Sequence, residues 1–334
     1  MENSISNILN ETFVESIANL SDRADIEPTI VTNLTVTVIL WLVYNGFMFI
    51  FTLGGNMLTI IAVRTCRRLR SIISNTFILS LAVSDFVVGL TLPYHVAFYL
   101  GSGLGTSHEF CLLRFFLIIF ACCVSILTLI TIAIDRYIAI VYPLHYTCLM
   151  TRRTVIVIIS FNWILGASVA AIPLFWNRWK KGHQCEFDEV LSTWYILGIL
   201  TPGFVLIWFF MLVIYGRIMS EASRQAQHMR ERKSMQRSTS FVLNVDFKSV
   251  QVVLFIMGCF SLCWLTYFIV TCGQTIGLFM TSPSLYRVAF SLAITNSGLN
   301  PIIYAWKNSN FRRAFAQLLR CRNPNECTHN TNIS

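Results

Sequence analysis

The sequence predicts an all-α membrane protein, a bundle of seven transmembrane helices followed by a short amphipathic C-terminal helix. Three observations carry this. Hydrophobic residues make up 55% of the 334-residue chain and charged residues only 12%, about half the charged share of an average soluble domain. Seven apolar windows, near 37–63, 73–100, 110–142, 154–176, 191–216, 247–275 and 284–306, are each long enough to cross a bilayer as a helix. The loops between them alternate in charge. Arg64, Arg67, Arg68 and Arg70 follow the first span, Arg217, Arg224, Arg230, Arg232, Lys233 and Arg237 the fifth, and Arg312, Arg313, Arg320 and Arg322 the seventh. The loops around 101–109 and 276–283 carry neither Lys nor Arg, so the positive-inside bias puts the N-terminus outside and the C-terminus in the cytosol. The loop 177–190 breaks the trend with Arg178, Lys180 and Lys181 but does not reverse the sum. The formal charge of +9 then describes a cytosolic basic face against anionic lipid and calls for no nucleic acid.

In chain order, residues 1–36 form an extracellular tail, 37–306 the transmembrane domain, and 307–334 a cytoplasmic amphipathic helix and tail. The tail shows no apolar core or cleavage-like pattern, so the first span is expected to direct insertion. Asn10, Asn19 and Asn33 begin glycosylation tripeptides on the outer side. Asn332 begins another, but on the cytosolic side it stays bare.

In the first span, Gly54-Gly55-Asn56 is a helix-packing signal, small residues allowing close approach and the amide bonding across. Asp85 lies mid-membrane in the second span, where a carboxylate costs about 2.5–3.5 kcal/mol and needs partners. The third span opens at Cys111 and ends on Asp135-Arg136-Tyr137; the fourth carries Trp163 and ends at Pro173. Residues 221–243 are charged and Ser-rich, expected to extend two helices around a mobile middle, with no room for an enzyme domain. The seventh span places Asn296 and Asn300 four residues apart, on one helix face. Cys122, Cys123, Cys259 and Cys263 read as packing residues. Cys111, Cys185 and Cys272 lie toward the oxidising outer side as candidates for a bridge.

Asp135-Arg136-Tyr137 followed by Ile138 to Leu144, and Asn300-Pro301-Ile302-Ile303-Tyr304 ahead of Phe311-Arg312-Arg313-Ala314-Phe315, resemble the class A, rhodopsin-like G-protein-coupled receptors over nearly the whole chain. The resemblance implies a plasma-membrane receptor that couples to heterotrimeric G proteins and is not an enzyme. It pairs Cys111 with Cys185. It implies a sodium ion held by Asp85, Ser125, Asn296, Ser297 and Asn300, the alternative being an internally hydrogen-bonded core without an ion. It makes Asp135, Arg136, Tyr137, Tyr215, Pro301 and Tyr304 the switch, with Asp246, 18 residues before Trp264, as a latch for Arg136; the bland alternative is a solvated acid at a helix start. It suggests palmitoylation at Cys321, ahead of Cys327. Two departures stand out: Thr266 replaces the proline of the sixth span, and Ile207 that of the fifth, where Pro202 lies five residues earlier.

Ligand class is less determined. Amine receptors place an aspartate where this chain has Ile118, and opsins a lysine where it has Ile294. Cys185-Glu186-Phe187-Asp188-Glu189 and Leu262-Cys263-Trp264-Leu265 resemble adenosine receptors, in which Phe187 and Asp188 would contact the purine. Thr271, Ala293 and Ile294, however, replace the polar groups that hold adenosine there, at about 1–3 kcal/mol per unmatched buried group. Ile118, Phe187, Asp188, Trp264, Tyr267, Thr271, Phe290 and Ile294 are the expected contacts, largely apolar and suited to an uncharged or lipid-like small molecule. A purine-like ligand or short peptide is the alternative. A transporter is disfavoured, since the sequence shows no internal repeat.

Overall fold

Inside a bilayer each backbone N–H and C=O must find a partner within the chain, which makes long apolar segments helical. The structure, a computed structural model, describes residues 28–100, 104–180, 185–235, 243–278 and 283–325. Its long helices are α1 (Pro28–Thr65), α2 (Asn75–Tyr99), α3 (His108–Val141), α4 (Arg152–Phe175), α5 (Thr201–Met235), α6 (Leu243–Thr275), α7 (Pro283–Lys307) and the shorter α8 (Ser309–Leu319). Each predicted window coincides with one of α1 to α7. Stretches long and apolar enough to span lie at Val36–Thr65, Asn75–Phe98, His108–Val141, Arg152–Phe175 and Thr193–Glu221. α6 and α7, at 33 and 25 residues, are also long enough at about 1.5 Å per residue.

α1 begins well before the expected boundary at residue 37, because Pro28 suits a first helical turn that needs no N–H there. α5 continues to Met235 and α6 begins at Leu243, so two helices reach into 221–243 as expected, and its middle, 236–242, lies outside the described residues.

The helices close a ring: α1 packs on α2 and α7, α2 on α3, α5 on α6, and α6 on α7, while α3 also meets α4 and α5. α3 is therefore the central post, and its buried face runs from Cys111 to Asp135. Close approach of α3 and α4 depends on Gly166, where a Cβ would sit 2.7 Å from the Val124 side chain. Asn162 of α4 donates to Thr131 Oγ1 at 2.9 Å and Trp163 Nε1 to Ser80 Oγ at 3.0 Å.

The prolines within the helices explain further contacts. A proline cannot donate to the carbonyl four residues earlier, which leaves a polar orphan in hydrocarbon. Pro301 frees the Ser297 carbonyl, and Asn56 Nδ2 of α1 donates to it at 3.0 Å. Pro173 frees the Val169 carbonyl, and the Tyr195 hydroxyl donates to that at 2.9 Å. Before Pro202 the backbone widens into a π turn, Ile196–Leu200, a known response to a residue the α-helix cannot accommodate. Thr201 Oγ1 there donates to the Ile196 carbonyl at 2.8 Å. Gly55 lies against the Pro301 ring, where a Cβ would come within 3.1 Å of two ring carbons. Asn56→Ala is expected to cost about 1–3 kcal/mol, the penalty for a buried carbonyl left unmatched. Thermal unfolding of the solubilised protein measures this; an unchanged midpoint would refute the capping role.

Asn308 caps α8, its Oδ1 accepting from Asn310 N at 3.0 Å and Phe311 N at 3.5 Å. Phe311, Ala314 and Phe315 are buried while Arg312 and Arg313 are exposed, and Phe311 stacks on Tyr304 with centroids 5.4 Å apart. This is the predicted amphipathic helix.

Candidate functional site

At the centre of the bundle, α2, α3 and α7 converge on one carboxylate. Asp85 is fully buried; Ser125 Oγ donates to its Oδ1 at 2.8 Å and Asn300 Nδ2 to its Oδ2 at 2.7 Å. The Ser297 hydroxyl is also within reach of Asp85. Asn296, one turn before Asn300, is buried, and its Nδ2 has no partner. Nearby helix faces hold three more unpartnered buried atoms: Thr52 Oγ1, Asn56 Oδ1 and Tyr304 Oη. Unmatched polar atoms at this depth are costly and call for water or an ion. The two ends of an amide are interchangeable in such assignments, so Asn296 can present its oxygen as readily as its nitrogen. One carboxylate among neutral hydroxyl and amide oxygens suits a hard cation of low charge. No group of three or more His, Cys, Asp or Glu suited to a transition metal occurs among the described residues.

Toward the disulfide end lies an aromatic cage. The Phe187 ring is 6.2 Å from Phe115, 6.4 Å from Tyr267 and 5.7 Å from Tyr286. Tyr267 adjoins Trp264 at 6.0 Å and Phe290 at 5.9 Å, and Tyr286 stacks on Phe290 at 6.3 Å. Of the expected contacts, Phe187, Trp264, Tyr267 and Phe290 thus come together as one cluster. Ile294 is buried and Ile118 half-buried against the same core. Thr271 is buried with its hydroxyl unpartnered, as is Trp264 Nε1. Asp188 follows Phe187 in the short helix Phe187–Val190, but its side chain lies outside the described residues.

Sequence reasoning missed Phe115, Tyr286, His95 and Arg114. Arg114 is buried on α3: Nη1 donates to the Cys185 carbonyl at 2.9 Å, and Nε lies 3.3 Å from His95 Nδ1. Its guanidinium lies over the Phe98 ring at 4.8 Å, and the His95 ring meets Phe290 at 4.5 Å. The signal was available, since a charged residue within an apolar window marks a structural or functional site.

Cys111 and Cys185 are bridged, with Cα atoms 5.8 Å apart. Cys272 is a free thiol with the Thr201 hydroxyl 3.2 Å from its sulfur, which settles the choice among the three outer cysteines.

At the opposite end, Asp135 is buried and accepts on Oδ2 from Arg136 Nε at 3.0 Å and Nη2 at 2.5 Å. Its Oδ1 accepts from the Tyr146 hydroxyl at 2.8 Å, on the short helix Pro143–Leu149. Burial first, and then the Asp135 carboxylate, push the Tyr146 phenol above its ordinary value, so it remains a donor at neutral pH. Tyr137 stacks edge-on with Tyr142 at 6.2 Å; Tyr215 and Tyr304 are buried. Among the described residues Arg136 pairs with Asp135. The side chain of Asp246 lies outside them, although its backbone is helical in α6. Asn10 and Asn19 also fall outside, as does the side chain of Asn33, whose backbone is in α1. Cys321 is an exposed thiol beyond α8.

A family model described as "7 transmembrane receptor (rhodopsin family)" matches residues 55–304. The histamine H2 receptor of Canis lupus familiaris is 32% identical over 300 residues, covering 86% of this chain and 80% of its own. The D(1B) dopamine receptor of Rattus norvegicus is 30% identical over 325 residues, 82% of this chain and 68% of its own. The alpha-1A adrenergic receptor of Oryzias latipes is 27% identical over 311 residues, 82% and 65% respectively.

Proposed function

Because the chain belongs to the rhodopsin family of seven-transmembrane receptors, we propose that it carries an extracellular signal from an uncharged or lipid-like small molecule to heterotrimeric G proteins, with its N-terminus outside the cell. It is a multi-pass membrane receptor and not an enzyme. One observation carries the ligand reading. Among the described residues, the cage of Phe115, Ile118, Phe187, Trp264, Tyr267, Tyr286, Phe290 and Ile294 includes no carboxylate side chain, that of Asp188 lying outside them, and the buried cation Arg114 lies over the Phe115 ring at 5.4 Å. An ammonium would be desolvated there beside a like charge.

A second reading comes from the relatives, whose names are those of histamine, dopamine and adrenergic receptors. It draws support from the cage itself, because clustered aromatic faces attract ammonium groups. Nucleotide exchange by purified receptor and G protein, challenged with neutral amphiphiles, biogenic amines, purine nucleosides and short peptides, separates the readings. Neutral amphiphiles are expected to activate, and Phe187→Ala and Tyr286→Ala to weaken their potency at least about tenfold, the scale of losing an aromatic contact worth about 1.4 kcal/mol. Activation by amines alone overturns the neutral-ligand reading.

The Asp85 cluster is read as a sodium site of the inactive receptor, with Asp85, Ser125, Asn296, Ser297 and Asn300 as its oxygen donors. Sodium at about ten times its dissociation constant would then add about 1.4 kcal/mol of stability by mass action, and Asp85→Asn would remove that response. A wild-type midpoint equally raised by sodium and potassium refutes the site.

A further inference from the structure

The end of the bundle that carries Arg136, away from the aromatic cage, holds a cavity. It measures about 320 Å³ and lies between the end of α1, the short helix Arg67–Arg70 and the start of α2, with Arg64, Arg70, Asn75 and Thr76 as polar walls and Ile72 and Leu79 as apolar ones. Asn75 Nδ2 donates to the Leu69 carbonyl at 2.8 Å, which fixes the loop that carries the arginines. A distant residue fastens the other side. Asn325, beyond α8, accepts from Arg67 N at 2.9 Å and donates to the Thr65 carbonyl at 2.9 Å. It thereby joins the chain where α1 stops and the short helix begins.

That contact brings the segment after α8 beneath the first loop. Arg64, Arg67, Arg68 and Arg70 are exposed, as are Arg320 and Arg322. None of these six has a carboxylate partner among the described residues. Neither 64–84 nor 308–325 contains an Asp or Glu. Ile72, on the cavity wall, is itself exposed and apolar.

From this arrangement we infer that the cavity is a binding site for the phosphorylated headgroup of an anionic inner-leaflet lipid of the phosphoinositide class. Arg64 and Arg70 grip the phosphates while the acyl chains lie along α1 and α2. Guanidinium forks match phosphate oxygens two at a time, and basic pockets between helices on the cytosolic side suit polyphosphorylated headgroups. An acidic peptide would satisfy the same charge, but it would leave the apolar wall at Ile72 and Leu79 unused. Asn325 is a positioning residue that holds the site in shape without touching the headgroup. The inference rests on the orientation proposed above, which antibody access to a tagged N-terminal tail on intact cells checks separately.

The test uses the full receptor in nanodiscs of phosphatidylcholine alone, with phosphatidylserine, or with phosphatidylinositol 4,5-bisphosphate, reading lipid retention by native mass spectrometry. Phosphoinositide is expected to be retained at least tenfold over phosphatidylserine. The double variant Arg64→Gln, Arg70→Gln should lose about tenfold in retention, and Arg64→Lys, Arg70→Lys should recover part of it. Asn325→Ala should lose about threefold. Equal retention by the wild type and the Gln pair overturns the site. So does binding of soluble inositol trisphosphate as tight as that of the lipid, which would mean a free-phosphate site, or saturable binding of an acidic peptide without any lipid preference.

Discussion

Replacing Cys111 and Cys185 together by serine is expected to lower stability by about 4 kcal/mol. The bridge closes a separation of 74 residues, and the chain-entropy relation gives about that value for a loop of this length. The structure adds a second loss. The Cys185 carbonyl is an acceptor for the buried Arg114, and the Phe187 ring is two residues further along the same tethered segment. Freeing the segment therefore leaves Arg114 short of an acceptor in an apolar setting, a situation that costs more than an unmade neutral bond. The measurement is thermal inactivation of the solubilised double variant against wild type, together with ligand affinity. A double variant as stable as wild type, and with an unchanged cage, would refute this account of the bridge.

Arg136→Ala is expected to abolish G-protein activation, since Arg136 stands at the bundle end that receives the G protein in this family. The partner variants should do the opposite. Asp135 is the carboxylate that holds Arg136, and the pair is buried at its Asp135 end while the Arg136 side chain is 29% exposed. Asp246→Asn removes a contact proposed from the sequence; a partly exposed pair contributes about 0.2–1 kcal/mol, a bias of at most about fivefold. Basal nucleotide exchange should thus rise severalfold in Asp246→Asn and further in Asp135→Asn, which leaves one acceptor oxygen for Arg136 and the Tyr146 hydroxyl to share. If Asp246→Asn leaves basal exchange unchanged while Arg136→Ala still abolishes it, Asp246 is a solvated residue at a helix start and Asp135 alone restrains Arg136.

Much of this molecule was legible before its coordinates. The seven windows mark helices because sustained apolarity is a property of the segment itself. The bridge from Cys111, the amphipathic face of α8 and the meeting of Asp85 with Ser125 and Asn300 followed once the motifs had placed those residues in depth. What spacing could not show were relations between helices. Tyr286 enters the cage because α7 presents it beside Phe187, and nothing in its neighbourhood along the chain marks it. Tyr195 looks like any aromatic at a membrane edge until the carbonyl freed by Pro173 lies opposite it. Arg114 is the exception, a charge in an apolar window that its surroundings could have exposed. The Asp135 to Arg136 pair was likewise hidden, because adjacent residues on a helix point in different directions unless a side chain bends back.

Thr266, standing where related receptors have proline, donates its hydroxyl to the Leu262 carbonyl of its own helix at 2.8 Å. Such back-bonding bends a helix slightly but leaves its ladder closed. The Ser297 and Val169 carbonyls that Pro301 and Pro173 free, by contrast, are served from α1 and from Tyr195, so those helices cannot shift without exposing a polar group to hydrocarbon. The bundle is therefore mechanically unequal. α7 and α4 are fastened to their neighbours through the backbone, whereas α6 is a self-contained rod whose described hydrogen bonds to α5 are side-chain contacts, Trp208 to Ser261 and Thr201 to Cys272. Among the described residues, tilting α6 as a whole would break no backbone hydrogen bond to a neighbouring helix, and its stiffness would carry a small displacement at the Trp264 level undiminished to the end of the bundle that carries Arg136.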